Sequence, residues 1–254
     1  MRTNKEHLFI ILAISVLLIL IILDFLDSDF NFHDILVEFH GLFFDLIVFG
    51  IILTVYENFD NKRSLIEYYN SLLIDLREWN DDKNGVKIFK ILEELNKLGA
   101  KKINISESYL NSNFDFSKLR NLKGSSFKMS NLMNSKFIGN DLRDSTFVLT
   151  RLDKSYFENV NFENSRISSC NMGNAKFLNV NFKNVVFTSS IFANTEFMNC
   201  NFLNADLNNI TVHEENILEI LKQNGNTGIE WESYKIEKNE MSFNGIKQNT
   251  LKRK

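Results

Sequence analysis

The chain has no proline, two cysteines and four histidines among its 254 residues. His7, His33, His40 and His213 are scattered without metal-ligand spacing, and no HExxH motif occurs. There is no glycine-rich loop suited to cradling a phosphate, and no serine or cysteine comes with an evident general base. These absences point away from catalysis and from any metal or organic cofactor. A net charge of -3 gives no strong pull toward a polyanionic partner, and 24 phenylalanines without a single proline do not describe a disordered chain.

What the sequence does contain is a five-residue cadence from Leu122 to Leu207. Every fifth position is large and apolar, eighteen times in succession, through Phe127, Leu132, Phe137 and Leu142 to Phe197 and Phe202. Two residues before each centre the side chain is small, as at Ser125, Ser155, Cys170 and Ala205, with Arg120 and Asn140 as the exceptions. Neither a period of 3.6 nor one of 2 keeps both columns facing inward over that length, which leaves a fixed-period solenoid.

The pattern, seen in Val180-Asn181-Phe182-Lys183-Asn184 and Ala205-Asp206-Leu207, closely resembles the pentapeptide repeat family. The resemblance covers about a third of the chain. It implies an all-β solenoid, a right-handed quadrilateral β-helix with one pentad per side and twenty residues per coil. Eighteen pentads then make four and a half coils. With coils at about 4.8 Å, centres twenty residues apart stack in columns such as Phe137, Phe157, Phe177 and Phe197. Asn recurs two residues after the centre, at Asn134, Asn159, Asn164, Asn174, Asn179, Asn184, Asn194, Asn199 and Asn204, where a tight corner calls for left-handed backbone. Cys170 and Cys200 fall in small inward slots six pentads apart, as packing residues and not a disulfide.

The residue before each centre faces solvent. Asn121, Asp141, Asn161, Asn181 and Asn201 form one such column, suited to an amide ladder. Another side carries Lys136, Tyr156, Lys176 and Glu196 with Ile138, Leu178 and Met198, a mixed patch suited to protein contact. Some members of the resembled family act as DNA mimics, a role that needs a strongly acidic surface. Residues 122–207 carry nine Lys or Arg against seven Asp or Glu, a net of +2. That sign disfavours mimicry, and its spread offers no basic stripe for nucleic acid.

Four segments are expected: a transmembrane helical hairpin over 1–56, a helical stalk and N-terminal cap over 57–103, the β-helix over 104–210, and a capping helix with a polar tail over 211–254. Residues 8–23 are free of charge and span about 24 Å as a helix; Ile35 to Tyr56 spans about 33 Å. Asp24 follows the first stretch directly and no small-x-small cleavage pattern occurs, which disfavours a signal peptide. Arg2, Lys5, Lys62 and Arg63 flank the pair, while the loop between holds Asp24, Asp27, Asp29 and Asp34. The positive-inside rule then puts both termini in the cytoplasm of a bacterial inner membrane. Leu65, Tyr69, Leu72, Leu76 and Trp79 follow helix-seam spacing, and Ile88, Ile91, Leu92, Leu95 and Leu98 line a second helix ending near Gly99. Tyr109, Phe114 and Leu119 read as centres of an imperfect first coil. Thr211 with Glu214 reads as a capping box before Ile217, and the segment beyond Trp231 as a mobile tail.

Glu38 and Asp45, one heptad apart inside the second span, are the sharpest polar feature, suited to an oligomeric seam, an ion path, or a hydrogen bond across the hairpin. The composition as a whole reads as a non-enzymatic platform fixed to the lipid bilayer that binds a protein partner. The alternative is a homo-oligomeric membrane effector whose hairpins perturb the bilayer while the β-helix senses a trigger.

Overall fold

An apolar side chain can face the same axis every five residues only if the backbone turns a corner in every pentad. In the computed structural model, which describes Ser15, Leu18, Ile22 and residues 32–77, 81–111, 113–243 and 246–254, those corners are made by residues in the left-handed region. All nine phased asparagines lie there, with φ between 51° and 61°, and Gly124 and Gly139 join them at 69° and 67°. Asn pays less for this conformation than most L-residues. Met129 and Leu149 adopt it too, each at φ 56°, although their exposed side chains gain nothing from the core.

With the corners set, each side pairs with the side twenty residues on. Asn121, Asp141, Asn161, Asn181 and Asn201 bridge in a parallel series, as do Asn131, Arg151, Asn171 and Ile191. Strands β1 (Lys136–Ile138), β3 (Tyr156–Glu158), β5 (Lys176–Leu178) and β6 (Glu196–Met198) form one four-stranded parallel sheet, and β2 (Thr146–Val148) pairs with β4 (Arg166–Ser168). The register puts Phe137 on Phe157, Phe157 on Phe177 and Phe177 on Phe197. Their rings stack at 4.8, 4.6 and 4.9 Å, within 8° of parallel. Such pairs are worth about 0.5 to 1.5 kcal/mol each beyond burial.

The small column does more than fit a corner. Thr150 Oγ1 donates to the Phe127 carbonyl at 2.7 Å, Ser155 Oγ to Leu132 at 2.8 Å, Ser165 Oγ to Leu142 at 2.7 Å and Thr195 Oγ1 to Met172 at 2.8 Å. Each hydroxyl therefore ties its coil to the carbonyl of a central residue in the coil before. Ser and Thr at these sites are selected by hydrogen bonding as well as by volume.

The first coil departs from the expected frame. Its inward residues are Ile105, Leu110 and Phe116, not Tyr109, Phe114 and Leu119 as centres: Tyr109 is half-exposed, while Phe114 and Leu119 are buried as flanking residues. Bridges Asn104 to Ser126 and Tyr109 to Asn131 span 22 residues, Asp115 to Lys136 spans 21, and Asn121 to Asp141 spans 20. Two single-residue insertions, one before Phe116 and one in the 3₁₀ turn Phe116–Lys118, account for the slippage. They also explain the exception at Asn140. Its buried amide donates to the carbonyls of Phe116 and Leu119 at 2.7 and 2.8 Å, two acceptors that the irregular turn leaves without coil partners.

The chain divides into two compact units, Met1–Asn61 and Lys62–Lys254. Helix α1 (Phe32–Asp75) is continuous through the expected second span and the expected stalk. Gly41–Asp75 contains a window of mean hydropathy 1.8 with none of it buried, and this is the one helix long and apolar enough to cross a membrane among the described residues. The first expected span lies outside the described residues except for Ser15, Leu18 and Ile22, which are helical. In the second unit, Ile66, Tyr69, Leu72 and Leu76 pack on the core and Leu73 is buried in it, whereas Leu65 is exposed. The seam is thus the face that α1 packs on the core shared with α2 (Asp82–Lys97), rotated from the expected one; Trp79 lies outside the described residues. Asp81 caps α2 by accepting from Lys83 N, and Gly99 closes it in left-handed backbone.

Beyond Leu207 the expected capping box and mobile tail both give way to sheet. Thr211 lies in β7 (Ile210–Val212), its amide bonded to the Ser190 carbonyl at 2.8 Å. Helix α3 (Ile217–Gln223) starts at Asn216 with no side-chain cap. The final segment is a hairpin of β8 (Tyr234–Phe243) and β9 (Ile246–Arg253), with β9 antiparallel to β7. The reason is apolar: Ile210, Val212, Ile217, Leu221, Tyr234 and Leu251 are all buried in the same core as Leu207.

Ser155→Ala should cost about 1 kcal/mol by removing the cross-coil bond to the Leu132 carbonyl, which keeps only the Ser135 amide, and Ser155→Leu about 1 to 3 kcal/mol by overpacking the corner. Chemical denaturation that ranks the two in the opposite order contradicts this assignment. Leu149→Asn should instead stabilise, by about 1 kcal/mol, because it relieves a left-handed leucine at an exposed corner; a lowered melting midpoint sinks that account.

Candidate interaction face

The four-stranded sheet presents the candidate face. Outward of the Phe137 column, Lys136, Tyr156, Lys176 and Glu196 stand in register on one side, and Ile138, Glu158, Leu178 and Met198 on the other. Every residue expected for the partner-binding face is therefore brought onto one flat surface. Tyr156 donates its hydroxyl to Glu158 at 3.1 Å, and Lys176 pairs with Glu196 at 3.0 Å. The face is thereby close to neutral, with Ile138 and Leu178 half-buried and Met198 47% exposed. Pairs this exposed contribute little stability; their effect is to hold the side chains in place around the apolar strip.

A neighbouring side carries the expected amide ladder, but only in its later coils. Asn181 donates to Asn161 at 3.0 Å and Asn201 to Asn181 at 3.2 Å, while Asp141 is occupied by a two-pronged contact from Arg143 at 2.8 and 2.7 Å. That guanidinium holds the Asp141 carboxyl below its ordinary range. Further ladders run along the corners, Asn184 to Asn164 at 2.8 Å and Asn204 to Asn184 at 3.2 Å. Each ladder consumes the polar groups that a ligand would need, so these sides are structural.

The intramembrane pair is placed only in part. Asp45 is exposed on α1, and Glu38 lies seven residues earlier on the same helix, its side chain outside the described residues. No group of three His, Cys, Asp or Glu side chains suited to a metal occurs among the described residues. Sequence reasoning missed Asn226, which closes the far end as Asn140 does the near one: its amide donates to the Phe197 and Leu221 carbonyls at 2.9 and 2.8 Å and accepts from Cys200 N at 2.8 Å. Nothing in the repeat cadence marks that position. It also missed a surface depression beside Lys102, whose residues are distant from one another in the pattern.

A parallel solenoid with five-residue sides, twenty-residue coils and asparagine corners defines a narrow class. The pentapeptide repeats family model matches eight copies in this chain, over residues 147–184, 165–204 and 181–211, so this segment is a run of pentapeptide repeats. Among solved structures it is similar to a pentapeptide repeat protein from the Arabidopsis thaliana thylakoid lumen, at 20% identity over 48% of this chain and 83% of that one, with a TM-score of 0.40. It is also similar to a pentapeptide repeat protein (Rfr23) from the cyanobacterium Cyanothece 51142, at 13% identity, 42% and 75% coverage and a TM-score of 0.28. A third likeness is to QnrB1, a plasmid-mediated fluoroquinolone resistance protein, at 15% identity, 49% and 89% coverage and a TM-score of 0.21. No curated protein matches the chain.

Cys170 and Cys200 are unpaired and buried in the small column, the Cys170 thiol donating to the Phe147 carbonyl at 3.2 Å. Burial pushes the Cys170 thiol up to about 12 and the Cys200 thiol up to about 11. Their neutral form is favoured by folding, so this contribution is complete below the unfolded thiol value and is lost as pH rises from about 9 through 11 to 12. Native protein at pH 8 should resist iodoacetamide at both thiols and react fully once unfolded, and the Cys170→Ala/Cys200→Ala variant should lose less stability between pH 9 and 11. Rapid native alkylation followed by mass spectrometry contradicts the burial.

Proposed function

We propose that this protein is a non-enzymatic recognition platform, anchored in a bacterial-type inner membrane with both termini cytoplasmic. The apolar part of α1 is the anchor, the expected first span of residues 8–23 lying outside the described residues but for Ser15, Leu18 and Ile22, and the β-helix, closed by helices at its ends, presents its four-stranded face to a protein partner. The observation that carries this reading is the in-register face itself: an apolar strip of Ile138, Leu178 and Met198 framed by Lys136, Tyr156 and Lys176 on a rigid parallel sheet. A surface of this kind needs no rearrangement to bind, which lowers the entropic cost of association. The apolar, unburied window of Gly41–Asp75 supports the anchor.

One observation favours a second reading. Asp45 is exposed on a helix whose neighbours Phe43, Phe44, Leu46 and Ile47 are exposed and apolar. An ionisable group in a bilayer is expensive unless it meets a partner, which supports self-association through α1 and the oligomeric membrane effector.

The test replaces Met198 with a photo-crosslinking amino acid and compares it with the same replacement at Ser189, on another side of the coil. Site-specific adducts at 198 that vanish in Leu178→Glu, with the melting midpoint unchanged, are the expected result. Equal adducts at both positions, or adducts indifferent to Leu178→Glu, overturn the assignment of this face.

A further inference from the structure

The chain between α2 and the first coil gathers lysines at one place. Beyond the turn at Leu76 and Arg77, α2 runs back alongside α1, so that Lys62 Nζ lies 3.9 Å from where a Cβ on Gly99 would stand. Lys101 and Lys102 follow at once. The Lys102 stem rests on Gly124, its Cγ 3.1 Å from the position of an added Cβ, at the rim of a depression of about 320 Å³ that also takes in Lys123, Arg143, Asp141 and Asp144.

The acids there are already taken. Arg143 holds Asp141 at 2.7 Å and Lys123 approaches Asp144 at 3.4 Å. Arg63, Lys97 and Lys118 likewise pair with Glu67, Glu94 and Glu93. Lys62, Lys101 and Lys102 are exposed and carry no ion pair among the described residues. The depression is an open rim of positive charge and not an enclosed pocket fitted to a single phosphate. Lys62 also follows the apolar stretch ending at Tyr56 by six residues, about 9 Å along a helix. That is the depth of lipid headgroups for a helix that spans the bilayer.

We infer that Lys62, Lys101 and Lys102 form a docking surface for the anionic headgroups of the membrane in which α1 is anchored. The inference rests on the membrane-anchored reading above. The fold returns the chain from Asp75 to Gly99 and so brings Gly99, two residues before Lys101, to Lys62, and each lysine there gains from the negative surface potential. Glu57 and Asp60 precede Lys62 on α1, so the recruited charge resides chiefly in Lys101 and Lys102.

The test uses the full chain in nanodiscs of phosphatidylcholine, with or without roughly one third phosphatidylglycerol, and follows lysine acetylation rates by mass spectrometry. Anionic lipid should slow Lys62, Lys101 and Lys102 by roughly fivefold each, leave Lys154 and Lys222 unchanged, and lose its effect in about 1 M salt, where the screening length falls to about 3 Å. In Lys101→Gln/Lys102→Gln the protection at Lys62 should drop to its value in neutral lipid. Incorporation into both nanodiscs with equal labelling overturns the inference while the anchor stands. Failure to incorporate into either overturns the anchor and the inference together. Equal protection by inorganic phosphate without lipid overturns the bilayer as the occupant.

Discussion

The left-handed corner is the constraint from which the rest of this structure follows. A backbone conformation that costs most L-residues about 1 to 2 kcal/mol has to recur in every pentad, or the five-residue columns lose their common axis. Asn supplies it at nine phased positions and Gly at two, and the corner asparagines then bond to each other from coil to coil. The residue that lowers the cost of the turn thus also joins successive turns. Where Met129 and Leu149 take the corner instead, that second contribution is missing.

Between corners, two inward columns divide the labour. Stacked Phe rings supply the apolar surface, and the hydroxyls of the small column supply cross-coil hydrogen bonds to the carbonyls of the central residues. This interlock makes the ends of the coil the difficult places, because a terminal coil has carbonyls with no successor. The protein answers with buried asparagine amides: Asn140 at the irregular start donates to the Phe116 and Leu119 carbonyls, and Asn226 at the finish to the Phe197 carbonyl of the last coil and the Leu221 carbonyl of α3. Apolar groups from α2, α3 and the hairpin are buried in the same core as the coil.

The coil was legible because its period repeats without error from Leu122 to Leu207, so columns, corners and the composition of the candidate face could be read from spacing alone. The first coil was not, since a single inserted residue moves every later position by one, and the true centres Ile105, Leu110 and Phe116 fall outside a fixed frame. Thr211 and Glu214 satisfy a local helix-start pattern, yet the amide of Thr211 is captured by the Ser190 carbonyl of the preceding coil; long-range pairing overrode local preference. The hairpin did leave a mark. Asn244-Gly245 is a hairpin-turn signal, obscured because the polar stretches on either side do not alternate regularly. The basic depression left none, because Lys102 and Arg143 meet only through coil stacking.

The inward hydroxyls and thiols of this fold are committed as donors to backbone carbonyls, as Ser155 and Cys170 show, with burial keeping both thiols protonated at neutral pH. Its amide-lined sides are satisfied by their own ladders. Beside these stand a nearly neutral apolar strip and the exposed Lys62, Lys101 and Lys102, which are among several lysines without an ion pair in the described residues. These are separate in kind, the first serving the partner contact proposed above and the second the proposed lipid contact. Because a packed coil has few internal degrees of freedom, the proposed lipid contact and the proposed partner face would be coupled through rigidity alone.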